Sequence, residues 1–296
     1  MTTRNFIYNT ASFLILVLIG FSACKKNPST HVSGGLSSNR DTIILNEKYG
    51  SDPKQVCDIY LPAGRNPNTP CILVIHGGAW KAGQKEDFNP YINMIRSKWQ
   101  NVAIINMNYR LASNANNIHH DQIMEDIDAT IGHIALNSLK YQISQKIGIV
   151  GASAGGHLAM IYAYKYNRLQ MIKCVGDIFG PSYLNDWAWY DSNNILLGGY
   201  VGNVLAEYVG KPWDTAAYKG ASPYWNISAQ SQPTIIFHGN LDPIVPVYQS
   251  QQLHAKLTSL GVPNQYHEYQ AFHGFDQAQS IDVINKLVAF FQAKLQ

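Results

Sequence analysis

Residues 149–159 read IVGASAGGHLA. An apolar run ending at Val150 gives way to a serine set among small residues, and a helix-compatible run follows. Glycine passes through positive φ at no steric cost, so small residues on both sides of Ser153 predict a bend that bulky side chains would forbid. A sharp strand-to-helix turn lifts a serine Oγ clear of a sheet. Serine is a poor nucleophile alone and needs a histidine base within hydrogen-bond reach, itself oriented by a carboxylate.

Outward from this bend, strand-like runs alternate with helix-like segments. The candidate strands are DTIILNEK, QVCDIYL, CILVIHG, VAIINMNY, KIGIVG, CVGDIFG, TIIFHG and QYHEYQ. Several are continuous apolar runs, the pattern of strands covered on both faces. Helical patterns fall at roughly 86–99, 118–138, 154–166, 247–260 and 279–295. This alternation predicts an α/β fold with a mainly parallel, eight-stranded sheet and helices on both faces.

In such sheets ligands bind beyond the carboxyl ends of the strands. Four strand ends carry polar loops: His76-Gly77-Gly78-Ala79-Trp80, Gly151-Ala152-Ser153-Ala154-Gly155, His238-Gly239-Asn240-Leu241-Asp242 and Ala271-Phe272-His273-Gly274-Phe275. A serine, an aspartate and a histidine thus follow one another along the chain, each at the same sheet edge. Ala154 would open a helix with its N–H aimed at a developing oxyanion, and Gly77 and Gly78 would present a second backbone donor.

On these motifs the chain resembles the α/β-hydrolases of the esterase and lipase superfamily, and within it the bacterial group carrying His-Gly-Gly-x-Trp and Gly-x-Ser-Ala-Gly-Gly-His. The likeness extends to NYRL at 108–111, ASPYW at 221–225 and HGNLDPIVP at 238–246, and covers residues 41–296. It implies an α/β-hydrolase fold, Ser153 as nucleophile, Asp242 as acid, His273 as base, and Gly77 and Gly78 in the oxyanion loop. It implies no metal and no organic cofactor. The implied reaction is two-step acyl transfer on short-chain acyl esters, with carbohydrate deacetylation as one form of it. Amide or peptide hydrolysis, as in arylformamidases and prolyl-type peptidases, is the rival within the class. A non-catalytic binding lipoprotein on the same scaffold is the rival outside it, since fold does not fix function.

Other residues read as structural. His76 supports the oxyanion loop, and His157 braces or packs behind the bend. His119-His120-Asp121 invites a metal reading, but adjacent helical side chains diverge, and a solvated helix start is expected. Cys57, Cys71 and Cys174 lie in apolar runs and read as buried small hydrophobes, with neither a disulfide framework nor metal-ligand spacing. Residues 183–225 hold four of the six tryptophans, Trp187, Trp189, Trp213 and Trp225, where the superfamily often places a lid or binding loops. Trp80, Trp187 and Trp189 are candidate substrate contacts. Their faces suit a sugar ring or a phenolic acyl group, and equally suit a core.

The N-terminus reads as a targeting segment over residues 1–23. Arg4 precedes the apolar run ASFLILVLIGFSAC, too short to span a bilayer of ~30 Å as a helix. Ser22 and Ala23 before Cys24 resemble the lipobox of bacterial lipoproteins, with Phe21 in place of the usual Leu. The expectation is an exported, envelope-bound protein with lipid on Cys24 and a flexible tether over residues 24–40. A net charge of +3, with 22 Lys and Arg residues scattered along the chain, lacks the footprint of a nucleic-acid binder.

Overall fold

The computed structural model describes residues 36–295. The leader, Cys24 and most of the expected tether lie outside the described residues. In chain order the elements are β1 (Thr42–Lys48), β2 (Val56–Leu61), β3 (Cys71–Ile75), α1 (Asn89–Lys98), β4 (Ala103–Met107), α2 (His120–Tyr141), β5 (Ile147–Ala152), α3 (Ala154–Ile161) and β6 (Ile172–Ile178). There follow α4 (Trp187–Tyr190), β7 (Asn193–Asn194), β8 (Gly199–Tyr200), α5 (Val201–Val209), α6 (Thr215–Gly220), β9 (Thr234–Gly239), α7 (Tyr248–Ser259), β10 (Asn264–Tyr269) and α8 (Gln277–Leu295).

Eight strands form one sheet in the order β1-β2-β4-β3-β5-β6-β9-β10. β2 runs antiparallel to both of its neighbours, and β4-β3-β5-β6-β9-β10 are mutually parallel. All eight coincide with the candidate strands read from the sequence. The inner strands β3, β4 and β9 are buried along their whole length, whereas the edge strands β1 and β10 alternate with exposed positions. Burial on both faces is what makes the inner strands continuous apolar runs.

Side-chain alternation divides the core. Cys71, Leu73 and Ile75 pack with residues of α2, α3 and α7, while Ile72 and Val74 pack with α1 and α8. Cys57, Cys71 and Cys174 are buried with free thiols. The helical pattern read at 154–166 is helical throughout, as α3 to Ile161 and then as a π-helical turn to Tyr166.

One segment departs from the sequence reading, and a second takes definite form. Residues 37–40, assigned to the tether, are fastened to the body of the fold: the buried Arg65 donates from Nη2 to Ser37 O at 2.8 Å and from Nη1 to Arg40 O at 3.0 Å. Residues 183–225 are a small cap of short helices and the β7–β8 hairpin, held by aromatic packing. Tyr190 contacts Trp187, Tyr200, Trp213 and Tyr218.

Candidate active site

Ser153 is the single residue between β5 and α3, with φ 55° and ψ −124°. Positive φ at a non-glycine residue is strained and persists only where its surroundings over-determine it. Here the surroundings are close backbone. A Cβ on Gly155 would lie 2.1 Å from Ile75 O, so only glycine lets α3 start against the end of β3. A Cβ on Gly77 would lie 2.8 Å from Ala152 O and 3.3 Å from the Ser153 Cβ, which places the loop after β3 directly on the bend. That loop continues through positive φ at Gly78, Ala79 and Trp80 (107°, 50° and 62°). Ala154 is the first helical residue, so its N–H has no intrahelical acceptor.

His273 brings the partners together. Its Nε2 lies 2.9 Å from Ser153 Oγ and its Nδ1 lies 2.6 Å from Asp242 Oδ2. A ring nitrogen facing a carboxylate carries the proton, which leaves the Nε2 lone pair to accept the Ser153 hydroxyl. Phe179 covers the imidazole, with ring centroids 4.6 Å apart. The Asp242 side chain is fully buried, and Oδ1 accepts the N–H groups of Ile244 and Val245 at 2.8 and 3.0 Å. Burial alone would raise its pKa. Hydrogen bonds from His238 and His273 outweigh burial and hold the carboxyl well below the usual carboxylate range.

Beside Ser153 lies a cavity of about 20 Å³, lined by Trp80, Ala154, Trp189, Val204, Leu205 and Ile244 among others. Of the three tryptophans singled out from sequence, two reach it. Trp80 is a buried wall stacked on Tyr208, and Trp189 is buried with Nε1 donating to Ile244 O at 3.0 Å. Trp187 does not line this cavity. It begins α4 just after its N-cap Asp186, is 51% exposed, and packs on Trp213 at 5.0 Å between centroids. A larger groove of about 360 Å³ between β10 and α8 contains none of Ser153, Asp242 and His273.

The supporting histidines are neutral. Burial lowers the His157 pKa to about 3, its Nε2 donates to Ala221 O at 2.8 Å, and its Nδ1 faces the Trp80 indole N–H at 3.3 Å. His76 stacks on Tyr109 at 4.3 Å between centroids, and burial lowers its pKa too. NYRL thus buttresses the loop after β3, while ASPYW supplies the acceptor for His157. His120 corrects the expectation of a solvated helix start: it is buried, with Tyr208 Oη 2.6 Å from Nδ1 and Tyr166 Oη 3.0 Å from Nε2. His238, four residues before Asp242 in the same motif, was not singled out from sequence, yet its Nε2 lies 3.2 Å from Asp242 Oδ2.

The BD-FAE family profile matches residues 57–257, more than half of the chain. The protein belongs to the BD-FAE family. The match spans Ser153 and Asp242, with His273 beyond its end. Among curated relatives, this BD-FAE protein is 24% identical to esterase LipC of Mycobacterium tuberculosis over 264 residues, 83% of this chain and 63% of LipC. It is 32% identical to a kynurenine formamidase of Meyerozyma guilliermondii over 119 residues, 40% of this chain and 42% of that protein. The chain thus spans less than two thirds of the length of either. Among solved structures, a truncated carbohydrate esterase from gut microbiota superposes with a TM-score of 0.72 at 24% identity, covering 89% of this chain and 99% of that one. Esterase B from Lactobacillus rhamnosis superposes with a TM-score of 0.68 at 20% identity, covering 86% and 87%. These likenesses and the sheet order establish the α/β-hydrolase fold for this BD-FAE member.

Proposed function

We propose that this BD-FAE protein is a serine-dependent carboxylic ester hydrolase for small acyl groups, with acetyl esters of carbohydrate as its substrate class. The observation that carries the reading is the continuous hydrogen-bonded line from Ser153 Oγ through His273 to Asp242, at 2.9 and 2.6 Å, beside a cavity of about 20 Å³. A pocket this small beside the nucleophile favours a short acyl group such as acetyl. The relatives named as esterases, and the carbohydrate esterase among the structural neighbours, point the same way.

In this reading Ser153 Oγ attacks the ester carbonyl carbon as its proton passes to His273 Nε2. Asp242 stabilises the resulting imidazolium, and the N–H groups of Ala154 and of the Gly77-Gly78 loop receive the oxyanion. Collapse breaks the ester C–O bond, and the leaving alcohol takes the proton from His273. Water then loses a proton to His273 as it attacks the acyl-enzyme, which releases the acid and restores Ser153.

A second reading, hydrolysis of an aryl formamide, has its own support in the formamidase relative, since formyl is the smallest acyl group. The deciding experiment compares the soluble domain with its Ser153→Ala variant on p-nitrophenyl acetate, butyrate and octanoate, an acetylated xylo-oligosaccharide and an aryl formamide. The expected result is acetate ahead of butyrate and octanoate, acetate release from the oligosaccharide, and a loss of about 10⁴-fold or more in the variant. Equal turnover by both proteins overturns the hydrolase; a preference for the formamide moves the substrate class. The lipid anchor on Cys24 and export to the envelope are proposed alongside it. They are tested by incorporation of labelled fatty acid into the full chain and its loss in Cys24→Ser.

A further inference from the structure

We propose that His238 is a positioning residue of this site: its Nε2–H binds the same Asp242 oxygen that orients His273, and so moderates the pull of that carboxylate on the imidazole. The inference rests on the Ser153-His273-Asp242 reading.

His238 is the last residue but one of β9 and is completely buried. Its Nε2 faces two oxygens, Val245 O at 3.0 Å and Asp242 Oδ2 at 3.2 Å, and its Nδ1 faces Ser250 Oγ at 2.6 Å. Only one arrangement of protons satisfies a neutral ring here. A lone pair on Nε2 would point at a carbonyl and a carboxylate together, so Nε2 carries the proton and Nδ1 accepts the Ser250 hydroxyl. Five side chains therefore form one line: Ser250, His238, Asp242, His273 and Ser153. The line crosses from α7 through the end of β9 to the loop after β10 and the bend after β5.

Asp242 Oδ1 accepts two backbone N–H groups, and Oδ2 accepts His273 Nδ1–H and shares the single Nε2–H of His238 with Val245 O. A carboxylate oxygen that accepts a second hydrogen bond is a weaker acceptor for the first. Around the line, Asp177 of β6 faces His238 and is pushed to about 7 by burial. Glu268 of β10 lies beside His238 in register, and Tyr266 and Gln251 donate to it. The His273 end is covered by the Phe179 ring.

The test uses His238→Leu, which removes the donor, His238→Gln, whose amide N–H reaches the position of Nε2, and Ser250→Ala, a one-atom deletion that loosens the tautomer. Two quantities are read: the acidic limb of kcat/KM on p-nitrophenyl acetate, and the downfield proton resonance of His273 Nδ1–H. In His238→Leu the limb moves to higher pH by about half a unit or more and the resonance moves further downfield. His238→Gln stays near wild type, and Ser250→Ala shifts both in the same direction by less. A limb and resonance that stay at their wild-type positions in His238→Leu, or that move as far in His238→Gln, overturn the proposal and leave a packing histidine. If His238→Leu does not fold, an unmoved resonance in Ser250→Ala overturns it equally. Should the wild type show no Ser153-dependent turnover, the hydrolase reading falls on its own, while the resonance still decides the role of His238.

Discussion

The indole of Trp80 stacks on the ring of Tyr208, with centroids 4.4 Å apart and planes 17° from parallel. Through that stack α5 of the cap holds one wall of the cavity beside Ser153. The edge of His157 meets both rings, and His120 lies 2.6 Å from the Tyr208 hydroxyl. Tyr208→Ala removes the support. It is expected to destabilise the fold by about 3–5 kcal/mol and to widen acyl selection, raising octanoate over acetate by about tenfold or more. Tyr208→Phe removes only the hydroxyl and leaves a His120 nitrogen without its partner. Its expected cost is about 1–3 kcal/mol with acyl preference unchanged. Denaturation curves and the p-nitrophenyl ester series check both; unchanged selection in Tyr208→Ala sinks the wall argument.

Asp242→Asn tests the carboxylate without a change of shape. The amide NH₂ would meet imidazole N–H groups from His238 and His273, or else turn its single oxygen toward one side and its donors toward the backbone N–H groups of Ile244 and Val245. In the first case the His273 tautomer that accepts the Ser153 proton is disfavoured; in the second the amide hydrogens oppose the backbone N–H groups, and in both the charge that stabilises the imidazolium is gone. A fall of about 10⁴-fold in kcat is expected. A loss below tenfold, with the fold intact by circular dichroism, places the acid elsewhere.

The sheet and the four strand-end loops were legible because their signals are local. Inner parallel strands must be apolar along their whole length, and a nucleophile bend must be lined by small residues such as Gly155. What escaped reading depends on distant partners. His120 looks solvated beside His119 and Asp121, and is buried by Tyr208, 88 residues away. The helices of residues 183–225 are only four to nine residues long, too short to declare themselves by periodicity, and exist through contacts among Trp187, Tyr190, Trp213 and Tyr218. His238 stood in the quoted HGNLDPIVP motif. Its role emerges only from its 3.2 Å approach to Asp242.

Arg65 shows the same limit, as a lone arginine in a loop that sequence reading passes over. Its guanidinium makes four hydrogen bonds, all to backbone carbonyls, of Ser37, Arg40, Pro62 and Tyr141. Arg65→Met keeps much of the volume and removes every donor. The expected loss is roughly 3 kcal/mol, since hydrogen bonds to charged groups contribute more than neutral ones. Limited proteolysis should then cut first near residues 37–40. Wild-type stability and an unchanged cleavage pattern would show that these bonds do not fasten the segment.

Asp177 gives the sharpest pH dependence, because its side chain is wholly buried, Oδ2 has no hydrogen-bond partner, and burial lifts its pKa to about 7. Unfolded, an aspartate titrates near ~3.9, so between about pH 4 and pH 7 the folded protein holds a proton that the unfolded chain has released. That contribution is full below about pH 4 and is lost as pH rises toward 7. His120 and His157, both lowered to about 3 by burial, act in the opposite sense. The unfolded chain binds their protons below about pH 6.5, so stability rises with pH across the same window. Asp177→Asn deletes one term and leaves the histidines in place. From about pH 4 to pH 6.5 its unfolding free energy should climb more steeply than wild type by ~1.4 kcal/mol per pH unit, one proton's worth. Urea denaturation at half-unit intervals measures both slopes. Parallel curves would mean that Asp177 stays ionised in the fold, and that a partner not yet identified neutralises it.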